Sequence, residues 1–196
     1  MEEPLGYAVG NSLEMKEALE VLSGTGMPDI TEVCLSLACE MASLALDIDI
    51  DEARGRVEKS IKDGSAKAKL KEWISAQGGD VTLIDNPDRF YLSPMRREVE
   101  AEDGGYISSL NAEKIGTASV ALGAGRNSKE DEIDLGAGIV ILKKVGERVE
   151  KGDPVAIIYS DSEEKLDEGE KLYLGAVSYS QTKPQKDALI YKIIRQ

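Results

Sequence analysis

Apolar residues recur with a helical period over roughly the first eighty positions and with a strand-like period after that. Met15, Ala18, Leu19 and Leu22 fall at i, i+3, i+4, i+7, one stripe of a helix beginning near Asn11. Asn11 is an N-cap type, and Glu14 follows at capping-box spacing. Gly24-Thr25-Gly26 ends that helix, and Pro28 suits the first turn of the next, where its missing N–H is not needed. Ile30, Val33, Cys34, Leu37, Ala38, Met41, Leu44 and Ala45 then form a wide stripe, which predicts a well-buried helix. Asp49 and Glu52 mark another start. Ala53, Val57 and Ile61 carry the stripe, and Asp63-Gly64 is its stop. A further helix from about Ser65 carries Leu70, Trp73 and Ile74 and ends at Gly78-Gly79.

Asn86-Pro87-Asp88 and Pro94 break the helical pattern. Residues 98–102 alternate, Asp103-Gly104-Gly105 turns, and Tyr106-Ile107 resumes. Asn111 to Leu122 predicts a short helix with Ile115, Ala118, Ser119 and Leu122 on one side, closed by Gly123-Ala124-Gly125-Arg126. Gly138 to Leu142 is a buried-strand run. From Lys144 to Tyr159, two glycines each followed by an acid punctuate Val145, Val149, Val155 and Ile157, the pattern of a small sandwich of short strands. A helix is expected from Glu163 to about Ser178, and a last strand over Ala188–Ile194. The expected class is α/β, α+β within this chain: residues 1–85 helical, and residues 86–196 a mixed domain with a small barrel-sandwich-like sheet.

Composition narrows the chemistry. Twenty-four Lys and Arg stand against thirty-seven Asp and Glu, a net charge of −13. This argues against a nucleic-acid or anionic-membrane partner, because both need cationic patches. No signal-type or membrane-spanning run is legible, so a cytoplasmic location is expected. Cys34 and Cys39 point about 140° apart on one helix, so they are expected as buried free thiols. The chain has no histidine, so a Ser-His or Cys-His catalytic pair cannot be built from it.

Four stretches could carry chemistry. The Val145–Ile158 pattern is similar to a lipoyl or biotinyl half-barrel, with 98–110 as the other half. The intervening segment, however, is a helix and a charged loop with Lys129, where a carrier domain has a tight turn with a central lysine. Gly123-Ala124-Gly125-Arg126 could cradle phosphate through backbone N–H groups, but it follows a helix, which favours a plain turn. The acids at 130–134 form a linear cluster, expected to be solvated. Finally, Gly6 and Gly10 let the opening loop turn tightly, so its carbonyls could face inward. Glu17, among Glu14, Lys16 and Glu20, reads from composition as a solvated helix position.

That opening stretch, residues 1–18, closely resembles a mid-chain segment of the pyrimidine-nucleoside phosphorylases, bacterial relatives of thymidine phosphorylase. The likeness continues through Leu70–Asp80 with Ser75-Ala76-Gln77-Gly78-Gly79-Asp80, then Gly123–Arg126, Ile133-Asp134 and Lys143-Lys144-Val145-Gly146, in order along the chain. The resemblance implies a C-terminal portion of a pentosyltransferase that reversibly phosphorolyses thymidine or uridine to free base and a pentose 1-phosphate. It implies a small helical domain and a large α/β domain with the substrate cleft between them, and a homodimer formed through the helical domain. The family's phosphate- and base-binding residues lie in its N-terminal half and have no counterpart here, so no catalytic residue is assigned and this chain is expected to be inactive alone. Carried over by position, the carbonyls of Leu5 and Ala8 and the carboxylate of Glu17 are this chain's share of a potassium site. A free-standing, non-catalytic binding or assembly domain is the alternative.

Overall fold

In the computed structural model, which describes residues 3–126 and 128–194, strand β1 is Ala8–Val9 and helix α1 is Asn11–Leu22. The cap of α1 is anchored one residue earlier than its sequence predicts. Gly10 O accepts the Glu14 N–H at 2.8 Å, and Glu14 Oε1 accepts the Gly10 N–H at 3.2 Å. The Asn11 amide is turned away to Ala124 O at 3.2 Å. Helix α2 (Pro28–Leu46) starts on its proline and ends at Asp47 in the left-handed conformation, φ 52°. Helix α3 (Ile50–Lys62) is capped by Asp49, which accepts the N–H groups of Asp51 and Glu52 at 3.0 and 2.9 Å. Helices α4 (Ser65–Ala76) and α5 (Thr82–Asp85) follow.

The chain divides into two compact units. One runs to Met15 and resumes over Phe90–Asp187; the other holds Lys16–Arg89 and the segment from Ala188. In the second unit α2 packs on α3. Cys39 and Ala53 are the buried residues of that pair, and Arg54 bridges to Glu32 at 3.0 and 3.2 Å. This rotates the predicted stripe outward. Leu37, Met41 and Leu44 are 61%, 70% and 84% exposed, so α2 is not buried along the face its periodicity marks. Cys34, expected buried, lies exposed on that face, while Cys39 is buried as expected. The period identifies an apolar face correctly, but α3 covers a different one.

The first unit holds the sheets. Strands β2 (Met95–Glu100), β3 (Gly105–Leu110), β4 (Gly138–Ile141), β5 (Arg148–Val149), β6 (Pro154–Ser160) and β7 (Val177–Ser180) pair antiparallel in two sheets. Their orders are β1-β4-β6-β2 and β5-β3-β7. Helices α6 (Ala112–Ser119) and α7 (Glu163–Leu174) pack together. α6 runs into a π-turn over Val120–Ala124 that is broken at Gly123, φ 108°. Val99, Ile107, Leu110, Ile115, Leu122, Ile139, Ile158, Leu166 and Tyr173 share one core. Each contributes about 1.5–3 kcal/mol of burial. Gly169 lies inside α7 because Leu122 occupies the space its side chain would need. Gly138, φ 147°, lets β4 approach β1; a Cβ there would meet Val9 O. Arg97 on β2 holds α7 through Glu163, Asp167 and Glu170 at 2.5, 2.7 and 2.8 Å.

Two expectations shift. α7 ends at Leu174, four residues before Ser178, because residues 177–180 pair with β3. No strand forms over 188–194: Leu189, Ile190, Tyr191, Ile193 and Ile194 are exposed in irregular backbone, an apolar run with no partner strand.

Candidate functional site: the carbonyl loop before the first helix

Residues 3–10 alternate strictly. Pro4, Gly6, Ala8 and Gly10 are buried, and Glu3, Leu5, Tyr7 and Val9 are half-buried. Only Ala8–Val9 of this stretch is strand, paired with β4, while residues 3–7 bend and Gly6 has φ 64°. Tyr7 O accepts the Ile141 N–H at 2.7 Å, and Ala8 stands opposite Val140. In an antiparallel ladder, hydrogen-bonded and non-hydrogen-bonded pairs alternate. Tyr7–Ile141 is a bonded pair, so Ala8–Val140 is not. β1 is the edge of its sheet. The ladder therefore directs the Ala8 carbonyl away from β4.

Lys144 holds the other end of the loop. It is 7% exposed. Its Nζ donates to the Pro4 carbonyl and, at 2.7 Å, to the Gly6 carbonyl. Glu3 Oε2 lies 3.9 Å from the ammonium and accepts the Val145 N–H at 3.1 Å. Glu147 Oε2 in turn accepts the Lys144 N–H at 2.6 Å, and the Glu147 N–H donates to Lys144 O at 3.1 Å. A buried ammonium is tolerated when its protons are satisfied by oxygens and a counter-charge is near. Both conditions hold here.

Leu5 and Ala8 thus sit in one short run of the first unit. Glu17 lies in the second turn of α1, within the second unit. It is 2% exposed, which overturns the solvated-face reading of the sequence. A carboxylate buried this far persists only with compensating partners. Backbone carbonyls and a carboxylate are hard oxygen donors, the set that suits potassium and similar cations.

The other candidates resolve into structure. Asp134 is tied into its loop: Ser93 Oγ donates to its Oδ2 at 2.6 Å and Gly136 N–H to its Oδ1 at 2.9 Å. Asp131 caps a turn by accepting from the N–H and Oγ of Ser128 at 2.9 and 2.7 Å. Among the described residues, no group of three or more His, Cys, Asp or Glu side chains is placed to hold a metal. Gly123 is fastened by its carbonyl to Asp134 N–H at 2.9 Å, closing the π-turn. Lys129 lies in an exposed turn after it. No helix of the described residues is long and apolar enough to cross a membrane. Lys144 escapes sequence reasoning because its partners stand about 140 positions away, and no local pattern distinguishes it from Lys143.

A family model described as the pyrimidine nucleoside phosphorylase C-terminal domain matches residues 106–180. Pyrimidine-nucleoside phosphorylase of Geobacillus stearothermophilus is 44% identical over 192 residues, covering 97% of this chain and 44% of that protein. The proteins of the same name in Bacillus subtilis (strain 168) and Staphylococcus epidermidis (strain ATCC 12228) are each 44% identical, over 164 and 197 residues. These alignments cover 83% and 100% of the chain but 38% and 45% of the relatives. The chain spans less than half the length of the curated relatives it matches.

Proposed function

We propose, for a chain whose C-terminal domain belongs to the pyrimidine-nucleoside phosphorylase family, that it is one portion of an enzyme exchanging pyrimidine base for phosphate on a pentose. The observation that carries this is the match itself: 44% identity sustained over 97% of the chain against a relative more than twice as long. In this reading thymidine or uridine and phosphate give free base and pentose 1-phosphate, a pentosyl transfer. Such a reaction needs cationic groups around the phosphate and the departing base. The reading puts those groups in the polypeptide that the relatives carry and this chain does not match, so this chain alone is inactive. It also assigns the working protein to the cytoplasm, as a homodimer joined through the family's helical domain. Residues 1–85 would complete its α/β domain, and the two sheets of the C-terminal domain would be related to a barrel-sandwich.

Potassium, when bound, supplies fixed positive charge and holds backbone segments together. This chain's share would be the carbonyl oxygens of Leu5 and Ala8 and the carboxylate of Glu17, completed by ligands from the polypeptide not matched here. What supports it is the hard-oxygen character of these groups, the outward Ala8 carbonyl and the deep burial of Glu17.

The purified chain is incubated with thymidine or uridine and phosphate, with and without the unmatched N-terminal polypeptide of the Geobacillus relative. The expected result is no free base above a blank for the chain alone, and release when the two are combined. Base release by the chain alone would overturn the proposed division of labour. A folded mixture that stays silent would favour a non-catalytic binding or assembly domain.

A further inference from the structure

We infer that Lys144 is a positioning residue whose ammonium sets the carbonyl loop in the shape that presents Leu5 and Ala8 to a cation. This rests on the potassium reading above. The ammonium takes the carbonyls of Pro4 and Gly6, one on each side of Leu5. Peptide groups are planar, so pinning the Pro4 and Gly6 carbonyls fixes both peptides that flank the Leu5 carbonyl and restricts its direction. Gly6 has φ 64°, a conformation that another residue would resist and that costs glycine its larger unfolded freedom. Two charge-assisted hydrogen bonds offset that cost. Two residues on, the β1–β4 ladder takes over and directs the Ala8 carbonyl outward. The clamp and the edge strand therefore act on consecutive parts of one loop.

The charge of Lys144 is part of the device. An ammonium beside a cation site would repel the incoming ion, and here Glu3 at 3.9 Å offsets it. The clamp is also built from both sides, because Glu3 accepts the Val145 N–H while Lys144 reaches back to Pro4 and Gly6. Glu3, Pro4 and Gly6 are thus fixed to Lys144 and Val145 at several points. A neutral isostere at 144 would keep the stem in its buried slot and lose the clamp.

The test uses the full chain, its Lys144→Met variant and its Glu3→Gln variant, each combined with the unmatched N-terminal polypeptide of the Geobacillus relative, which supplies the remaining ligands of the site. Amide hydrogen exchange at residues 5–8 is measured in KCl and in tetramethylammonium chloride of equal ionic strength, the latter ion being too large for a carbonyl site. Wild type should show slower exchange in KCl at these amides. Lys144→Met should exchange there at least tenfold faster in either salt and lose the potassium response, with the amides of β4 and β6 unchanged. Glu3→Gln should leave residues 5–8 protected through the retained Lys144 hydrogen bonds but weaken their potassium response, because the ammonium's charge is no longer offset. A variant at Lys144 with wild-type exchange and a wild-type response to potassium would overturn the clamp. A wild type that ignores potassium while Lys144→Met still loosens residues 5–8 would instead overturn the cation reading, and the positioning role with it. Should Lys144→Met lose the protection of β4 as well, Lys144→Gln is read in the same way, and global unfolding of both would assign Lys144 to stability and overturn the inference.

Discussion

Cys34 and Cys39 are five positions apart on one helix and meet opposite surroundings. Cys39 lies beneath the α2–α3 contact, and burial pushes its thiol above the ordinary value, while Cys34 is exposed. The reactive species is the thiolate. Alkylation of the native chain should therefore label one thiol quickly and the other only on unfolding. Mass spectrometry of the modified peptides should place the fast adduct on Cys34; a fast adduct on Cys39 would contradict the packing. Tyr173 offers a second test at this scale. Its hydroxyl donates to Val155 O at 3.2 Å in the middle of the core, and burial raises its phenol well above the ordinary 10.0. A raised pKa means the unfolded chain ionises first. The stabilisation is thus fully present below pH 10.0 and declines as pH rises beyond it. Tyr173→Phe removes one buried hydrogen bond, at a cost of about 1 kcal/mol, and leaves Val155 O without that donor. Urea unfolding of the variant should show that loss at pH 7 and a shallower decline at alkaline pH.

Helices were legible where their ends carry chemistry. Asp49 caps α3 as its spacing indicates, and Pro28 opens α2. The cap of α1 moved to Gly10 because Asn11 found a carbonyl at Ala124, more than a hundred positions away. Tertiary partners of that kind leave no local trace, and the same holds for Lys144. The Ala188–Ile194 run fails for the converse reason, since an apolar, β-branched run forms a strand only where a neighbouring strand supplies the ladder and the packing. Arg97 shows an element-scale device that lies outside periodicity altogether. From β2 it reaches three carboxylates of α7 spaced along one face of that helix. The Arg97 side chain is 27% exposed, so its pairs are partly desolvated. Surface pairs contribute up to about 1 kcal/mol each, and the three share one guanidinium. Arg97→Met should cost about 1–2 kcal/mol, with the loss shrinking at high salt as screening weakens the native network. Salt-independent destabilisation would mean the side chain's packing, not its charge, holds α7.

Across the whole chain, the core of the first unit closes on its own residues, whereas α2 in the second unit turns Leu37, Met41 and Leu44 outward. Their 3–4 spacing makes one continuous apolar strip. Covering large apolar side chains contributes about 1.5–3 kcal/mol each, so such a strip is a strong docking surface if matched. The relatives carry more than half their length in polypeptide that this chain does not match, and that polypeptide is the occupant favoured here. Replacing Leu37, Met41 and Leu44 together by glutamate should leave the helix content of the chain intact, because α3 packs on another face. The same variant should fail to associate with the N-terminal polypeptide of the Geobacillus relative and fail to restore base release with it, where the parent chain does both. Sedimentation at matched concentrations reads the association directly. Retained complex formation by the triple variant would remove α2 from the interface, and a parent chain that instead dimerises through this strip would assign it to a second copy.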